Sequence, residues 1–128
     1  MSGILFLCIH NAGRSQMAAG FARELSNGGV TILSGGSEPA ESVNPVAVDV
    51  MNEVGIDISK FVPQKYNDDL LNAVDVVITM GCGDTCPYIP GKRYIDWPLD
   101  DPKRKSIEDV RRIRDEIKAH VTDLLAQL

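Results

Sequence analysis

Residues 3–9 read GILFLCI, and this apolar run empties directly into His10-Asn11-Ala12-Gly13-Arg14-Ser15. A continuous apolar run of this length suits a strand buried on both faces. From Ser15 to about Ser26 the period changes, with Met17, Ala18, Phe21, Ala22 and Leu25 falling on one face of a helix. Asn27-Gly28-Gly29 ends that helix, because glycine accepts a left-handed cap. A strand that turns tightly into a helix must come back as a right-handed crossover, which commits the chain to a parallel sheet.

The rest of the chain keeps the alternation. Val30 to Leu33 reads as a second strand and Gly35 to Val43 as a loop. Asn44-Pro45 opens a helix that stops at Gly55, with Val46, Val50 and Val54 expected on its buried face. Asn67 to Ala73 is a short helix, Val74 to Met80 the most hydrophobic strand, and Gly81 to Gly91 irregular. Arg93 to Trp97 is a short strand and Pro98 to Lys105 a charged loop. A last helix is capped by Ser106 and carries Ile107, Val110, Ile113, Ile117, Val121 and Leu124 at spacings of three and four. The expectation is one α/β domain over residues 1–128, a four-stranded parallel sheet with helices on both faces. Ligands of such sheets bind at the carboxyl ends of the strands. Chemistry is therefore expected in Cys8 to Ser15, Ser34 to Gly36, Gly81 to Cys86 and Trp97 to Pro102.

Composition removes several function classes. With 13 Lys and Arg against 18 Asp and Glu the net charge is −5, so no nucleic-acid partner is expected. The apolar N-terminal run is too short for a leader or a span, so no membrane partner is expected either. Three cysteines do not suit a closed disulfide framework. A cytoplasmic, reducing location is expected, where a cysteine is more often reactive than structural.

Cys8-Ile9-His10-Asn11-Ala12-Gly13-Arg14-Ser15 then reads as an anion cradle holding a thiol. A strand turning into a helix N-terminus aims backbone N–H groups at one point, and the helix dipole adds positive potential. Gly13 permits a backbone path that a side chain would block, and Arg14 offers a planar fork of donors. The same field favours the thiolate of Cys8, to which Ser15 could donate a hydrogen bond. A bare Cys-x5-Arg also occurs by chance; its place between strand and helix, followed by Ser, selects the functional reading.

The octet CIHNAGRS resembles the phosphate-binding loop of the low-molecular-weight protein tyrosine phosphatase superfamily, which includes the thioredoxin-coupled arsenate reductases. The resemblance extends over SGG at Ser34 to Gly36, VGIDIS at Val54 to Ser59 and LDDP at Leu99 to Pro102. It implies the fold and the nucleophile, Cys8, but not the reaction, since phosphatases and reductases share the loop. It also implies that Asn11 holds the cradle's shape; Ser34, which follows the second strand, is expected to support Asn11.

Cys82 and Cys86, with three residues between them, stand in a loop bearing Gly81 and Gly83. That spacing permits a disulfide within the loop if the backbone bends. A metal site lacks further ligands, since His10 and His120 are the only histidines and His120 is expected at the surface of the last helix, so none is expected. Inert cysteines, or a phosphatase with incidental ones, remain open from the residues alone. Gly81 to Pro102 as a whole resembles the redox loop of actinobacterial-type arsenate reductases.

What that resemblance implies is a relay. Cys8 attacks arsenate, Cys82 takes the bond from Cys8, Cys86 takes it from Cys82, and thioredoxin returns the electrons without a bound cofactor. Phosphate and sulfate would compete as oxyanions. Asp101, before Pro102, matches the superfamily's general acid, with Asp100 a bystander. His10 is expected at the cradle rim, Trp97 in packing, and Arg111, Arg112 and Arg114 on a solvated face. Some members carry a second cysteine in the cradle where Gly13 stands. Others bind potassium through a glutamate where Ala19 stands, so neither device is expected. The alternatives are a tyrosine phosphatase and a transferase of arsenate to mycothiol; a non-catalytic anion sensor belongs to a different class.

Overall fold

A computed structural model describes residues 3–81, 92–103 and 105–127. Its elements, in order, are β1 (Gly3–Cys8), α1 (Arg14–Ser26), β2 (Thr31–Gly36), α2 (Pro45–Asn52), α3 (Asp68–Asn72), β3 (Val76–Thr79), β4 (Arg93–Asp96) and α4 (Ile107–Ala126). The four strands form one parallel sheet in the order β2-β1-β3-β4. The α/β reading, with helices on both faces, is therefore correct.

Alternation along the strands divides the core. Ile4, Phe6 and Cys8 of β1 and Val76 and Ile78 of β3 face the larger cluster, built with α1, α2 and α4. Leu5 and Leu7 with Val77 face the smaller one, closed by Leu71 of α3 and flanked by Tyr66 and Tyr94. The chain enters the sheet at β1, and neighbours are then added on both of its sides. The carboxyl end of β1 is thus the point where strand order reverses.

Caps place the helices where the residues suggest. Asn44 accepts from the N–H groups of Val46 and Ala47, with Pro45 in the first turn of α2. Asn67 caps α3 and Ser106 caps α4. At the end of α1 the left-handed position is occupied by Asn27 (φ 52°), with Gly28 following at φ 81°.

Five expectations need correction. β2 continues through Gly36, pairing Leu7 with Gly35 and Cys8 with Gly36, where a loop was expected from Gly35 on. Glycines there allow close approach: a Cβ on Gly35 would press on the backbone of Tyr66. The buried face of α2 is Ala47, Val50 and Met51, because the helix ends at Asn52 and leaves Val54 exposed. Leu25 and Ile107, at helix ends, are exposed as well. Arg114 is buried rather than solvated, its guanidinium reaching the Val50 carbonyl and Glu53. His120 is half-buried, stacked on Trp97 with ring centroids 4.8 Å apart, because this turn of α4 lies over the indole. Trp97 is buried against Phe6, as packing requires.

Candidate active site

Cys8 ends β1 and is buried, and six residues later α1 begins with no side chain capping it. The first-turn N–H groups of α1 are therefore left for another acceptor. Between them, the carbonyls of the loop are committed elsewhere. Ile9 accepts from the Glu38 N–H at 2.8 Å, His10 from Ala40 at 2.9 Å and Ala12 from Asn44 at 2.8 Å. Gly13 accepts from Met17, and Asn11 from the Gln16 side chain. In a trans peptide the next N–H points the opposite way. His10, Asn11 and Gly13 consequently present N–H groups turned away from the segment 38–44 that supports the loop, the arrangement an oxyanion needs. The Cα of Gly36 backs this loop so closely that a Cβ would lie 2.6 Å from the Ile9 carbonyl oxygen.

The thiol is oriented by a chain of hydrogen bonds. Asn11 sits in the left-handed region (φ 50°), fully buried. Its Oδ1 accepts from the Gln64 backbone N–H at 3.0 Å, which settles the amide orientation because that partner can only donate. Asn11 Nδ2 then donates to Ser15 Oγ at 2.7 Å. Having accepted there, the Ser15 hydroxyl has its proton to give to Cys8 Sγ, 2.9 Å away. Ser34 has a different place: its carbonyl accepts from Gln64 Nε2 at 2.8 Å, and the Asn11 amide is held by Gln64, Gln16 and Ser15.

Arg14 is buried, with Nη1 on the Leu99 carbonyl at 3.3 Å and Nη2 3.7 Å from Asp101 Oδ2. Asp101 is about half-exposed, and its other oxygen accepts from the Lys103 N–H at 3.0 Å. Cys8, Gly13, Arg14 and Asp101 line one cavity of about 310 Å³, with His10 at its edge bonded through Nδ1 to the Glu38 carbonyl. The structure thus brings together Cys8, the loop, Arg14, Ser15 and Asp101. Asp100 turns away to Arg112. Cys82 and Cys86 lie outside the described residues. Among the described residues no group of three or more His, Cys, Asp or Glu could hold a metal ion.

Two glycines of the site have a contact that explains them. Gly13 has a negative φ of −128°, so its need is space: a Cβ there would lie 2.6 Å from Pro102 Cγ. Gly81 has φ +76°, and a Cβ there would lie 2.5 Å from Arg14 Nη1. Gln16, Gln64 and the Leu99 carbonyl are parts of the site that no motif announced. Gln64 acts on Asn11 through its backbone, which leaves no residue-type signal.

The model of the family "Low molecular weight phosphotyrosine protein phosphatase" matches residues 3–128. "Arsenate reductase 1" of Staphylococcus epidermidis is 41% identical, over 92% of this chain and 91% of that protein. "Glutaredoxin arsenate reductase" of Synechocystis is 37% identical, over 100% of this chain and 99% of that protein. Among solved structures, a thioredoxin-dependent arsenate reductase of Corynebacterium glutamicum superposes with a TM-score of 0.86 at 38% identity. That alignment covers 99% of this chain and 61% of the Corynebacterium chain, so this chain spans about three fifths of that protein's length. With a cysteine-bearing oxyanion loop at the switch point of the sheet and these matches along its length, the chain belongs to the low molecular weight phosphotyrosine protein phosphatase family, among its arsenate reductases.

Proposed function

We propose that the protein reduces arsenate to arsenite, with electrons supplied through thiols. The observation that carries this reading is the Cys8 sulfur, held by Ser15 at 2.9 Å and facing a cavity that Arg14 and Asp101 also line. The whole-length similarity to proteins named arsenate reductases supports it. Arsenate would sit on the N–H groups of the Ile9 to Ser15 loop and on the Arg14 fork. Phosphate and sulfate, of similar shape, compete for the same donors.

The Cys8 thiolate attacks arsenic, forming an S–As bond, while Asp101 gives a proton to the departing oxygen, which leaves as water. The Cys82 thiolate then attacks Cys8 sulfur. A Cys8–Cys82 disulfide forms and the S–As bond breaks with its electron pair passing to arsenic, so As(V) becomes As(III) and arsenite departs. Cys86 attacks Cys82, frees Cys8 as a thiolate and leaves Cys82–Cys86, which a dithiol protein reduces by two electrons. Thioredoxin is the proposed donor, supported by the Corynebacterium neighbour; the Synechocystis relative makes glutaredoxin the competitor. No resident cofactor is required. Among the described residues no helix is long and apolar enough to cross a membrane, and a cytoplasmic location is proposed because the relay needs reduced thiols.

The test is arsenite production with thioredoxin, thioredoxin reductase and NADPH, comparing wild type with Cys8→Ser, Cys82→Ser and Cys86→Ser. Wild-type turnover lost in all three variants establishes the relay. Turnover only with glutaredoxin or a small thiol such as mycothiol, unaffected in Cys86→Ser, overturns it and keeps the cradle. The Cys8, Arg14 and Asp101 arrangement also suits a phosphate monoester, so aryl phosphate hydrolysis that survives Cys82→Ser, without arsenite, assigns a phosphatase instead.

A further inference from the structure

Gln16 lies in the first turn of α1, one residue beyond the serine that holds the thiol, and is 1% exposed. Its Nε2 donates to two oxygens of one residue, the Asn11 backbone carbonyl at 3.0 Å and Asn11 Oδ1 at 3.2 Å. The amide cannot be reversed, since Oε1 would then face two acceptors. In the orientation that works, Gln16 Oε1 is buried with no hydrogen-bond partner among the described residues. A packing position would be filled better by Met or Leu, which carry no unpaired carbonyl. Glutamine at this place makes physical sense for its donor alone.

What the donor holds is the start of the hydrogen-bond chain. Asn11 is a non-glycine residue at φ 50°, a conformation that needs external support. Clamping its main-chain and side-chain carbonyls together leaves Asn11 Nδ2 aimed at Ser15 Oγ, 2.7 Å away, and Ser15 at Cys8 Sγ, 2.9 Å away. We propose that Gln16 is a positioning residue for the nucleophile, acting through Asn11 and Ser15 to keep a hydrogen bond on the Cys8 sulfur. This rests on the proposed function only in that Cys8 is taken as the nucleophile. Among the described residues, the charged and titratable groups sharing the cavity with Cys8 are His10 of the loop, Arg14 of α1, and Asp101 and Lys103 of the acid loop, and a substitution at Gln16 changes none of them.

The experiment is the pH dependence of Cys8 alkylation by iodoacetamide in the reduced full chain, followed by mass spectrometry of the Cys8 peptide, beside arsenate kinetics and thermal unfolding. Gln16→Met keeps shape and removes the donor. It is expected to move the alkylation midpoint to higher pH and to lower kcat roughly tenfold, the worth of one ordinary hydrogen bond, with a smaller change in KM. Gln16→Glu can donate only while protonated, so its alkylation is expected to approach wild type at acid pH and to match Gln16→Met at alkaline pH. Val50→Ala, destabilised but remote from the loop, should leave the midpoint where it is. If the Gln16 variants unfold earlier yet alkylate with the wild-type midpoint, Gln16 is a packing residue and the proposal is overturned. Alkylation needs no arsenate, so a wild type that makes no arsenite would sink the reductase reading without touching this one.

Discussion

Among the described residues two arginines are buried, and they are buried differently. Arg114, on α4, is closely engaged, with three of its donors on short bonds: Nε meets Asp115 at 2.9 Å, and Nη1 meets the Val50 carbonyl at 2.9 Å and Glu53 at 2.8 Å. Arg14, at the start of α1, has a longer bond of 3.3 Å to Leu99 and an ion pair of 3.7 Å to Asp101. Their side chains are similarly enclosed, 10% and 5% exposed. A guanidinium has five N–H donors, and burying one is tolerable when those donors are used. Arg114 spends its donors joining α2 to α4, whereas Arg14 keeps a cavity in front of it. The contrast separates a cation that ties two helices together from one that lines the cavity of Cys8.

Replacing each arginine tests the contrast most severely. Arg14→Lys keeps the charge and loses the planar fork, and is expected to lower kcat/KM for arsenate by roughly 10²–10³ with little change in unfolding temperature. Arg114→Met is expected to do the reverse. It leaves the Val50 carbonyl unpaired and should lower unfolding free energy in urea by about 1–3 kcal/mol at unchanged kcat/KM. Equal effects of both on either measurement would dissolve the distinction.

Smaller perturbations sharpen it. Gly81→Ala puts a Cβ against Arg14 Nη1 at a backbone angle that disfavours side chains, so the guanidinium must swing away. Steady-state kinetics should show roughly tenfold lower kcat/KM, expressed in KM as well as kcat. Gly13→Ala presses instead on Pro102 and displaces the loop of Asp101, so its loss of similar size should fall mainly on kcat.

The smallest effect concerns the Arg114 side. Hydrogen bonds from Arg111, and then those from Arg114, hold the Glu53 carboxyl below the usual carboxylate range. A carboxyl with a depressed folded-state value contributes stability above the ordinary glutamate range and loses it as pH falls through that range. The unfolding temperature should therefore decline on acidification less steeply in Glu53→Gln than in wild type. Because the pair is exposed to solvent, the difference should shrink further in high salt.

Much of this was legible in advance because it is local. An apolar run ending in Cys8, a helix beginning near Ser15, and caps at Asn44 and Ser106 follow from residue type and spacing, and the cradle with Arg14 and Ser15 came with them. The misread places are those where a long-range partner decides. Arg114 looked like one more charge on an exposed helix until α2 delivered Val50 and Glu53. Gly35 and Gly36 looked like a loop because glycine is a poor strand former, yet β1 on one side and Tyr66 on the other need backbones that approach closely. Gln64 was invisible, since it acts on Asn11 through a main-chain N–H that any residue but proline would supply.

By itself, the order of residues determined the alternation of strand and helix, the parallel sheet, and a thiol set in an anion-binding loop. Period, capping and turn chemistry operate within a few residues and need nothing else. Only the tertiary structure decided which arginine is tied to a second helix, Arg114, and which lines the cavity with Cys8 and Asp101, Arg14. It also decided why Gly13 and Gly81 must be glycine. Those outcomes depend on distances between segments 60 to 90 residues apart in the chain, set by how the helices pack across the sheet, and no local rule specifies such distances.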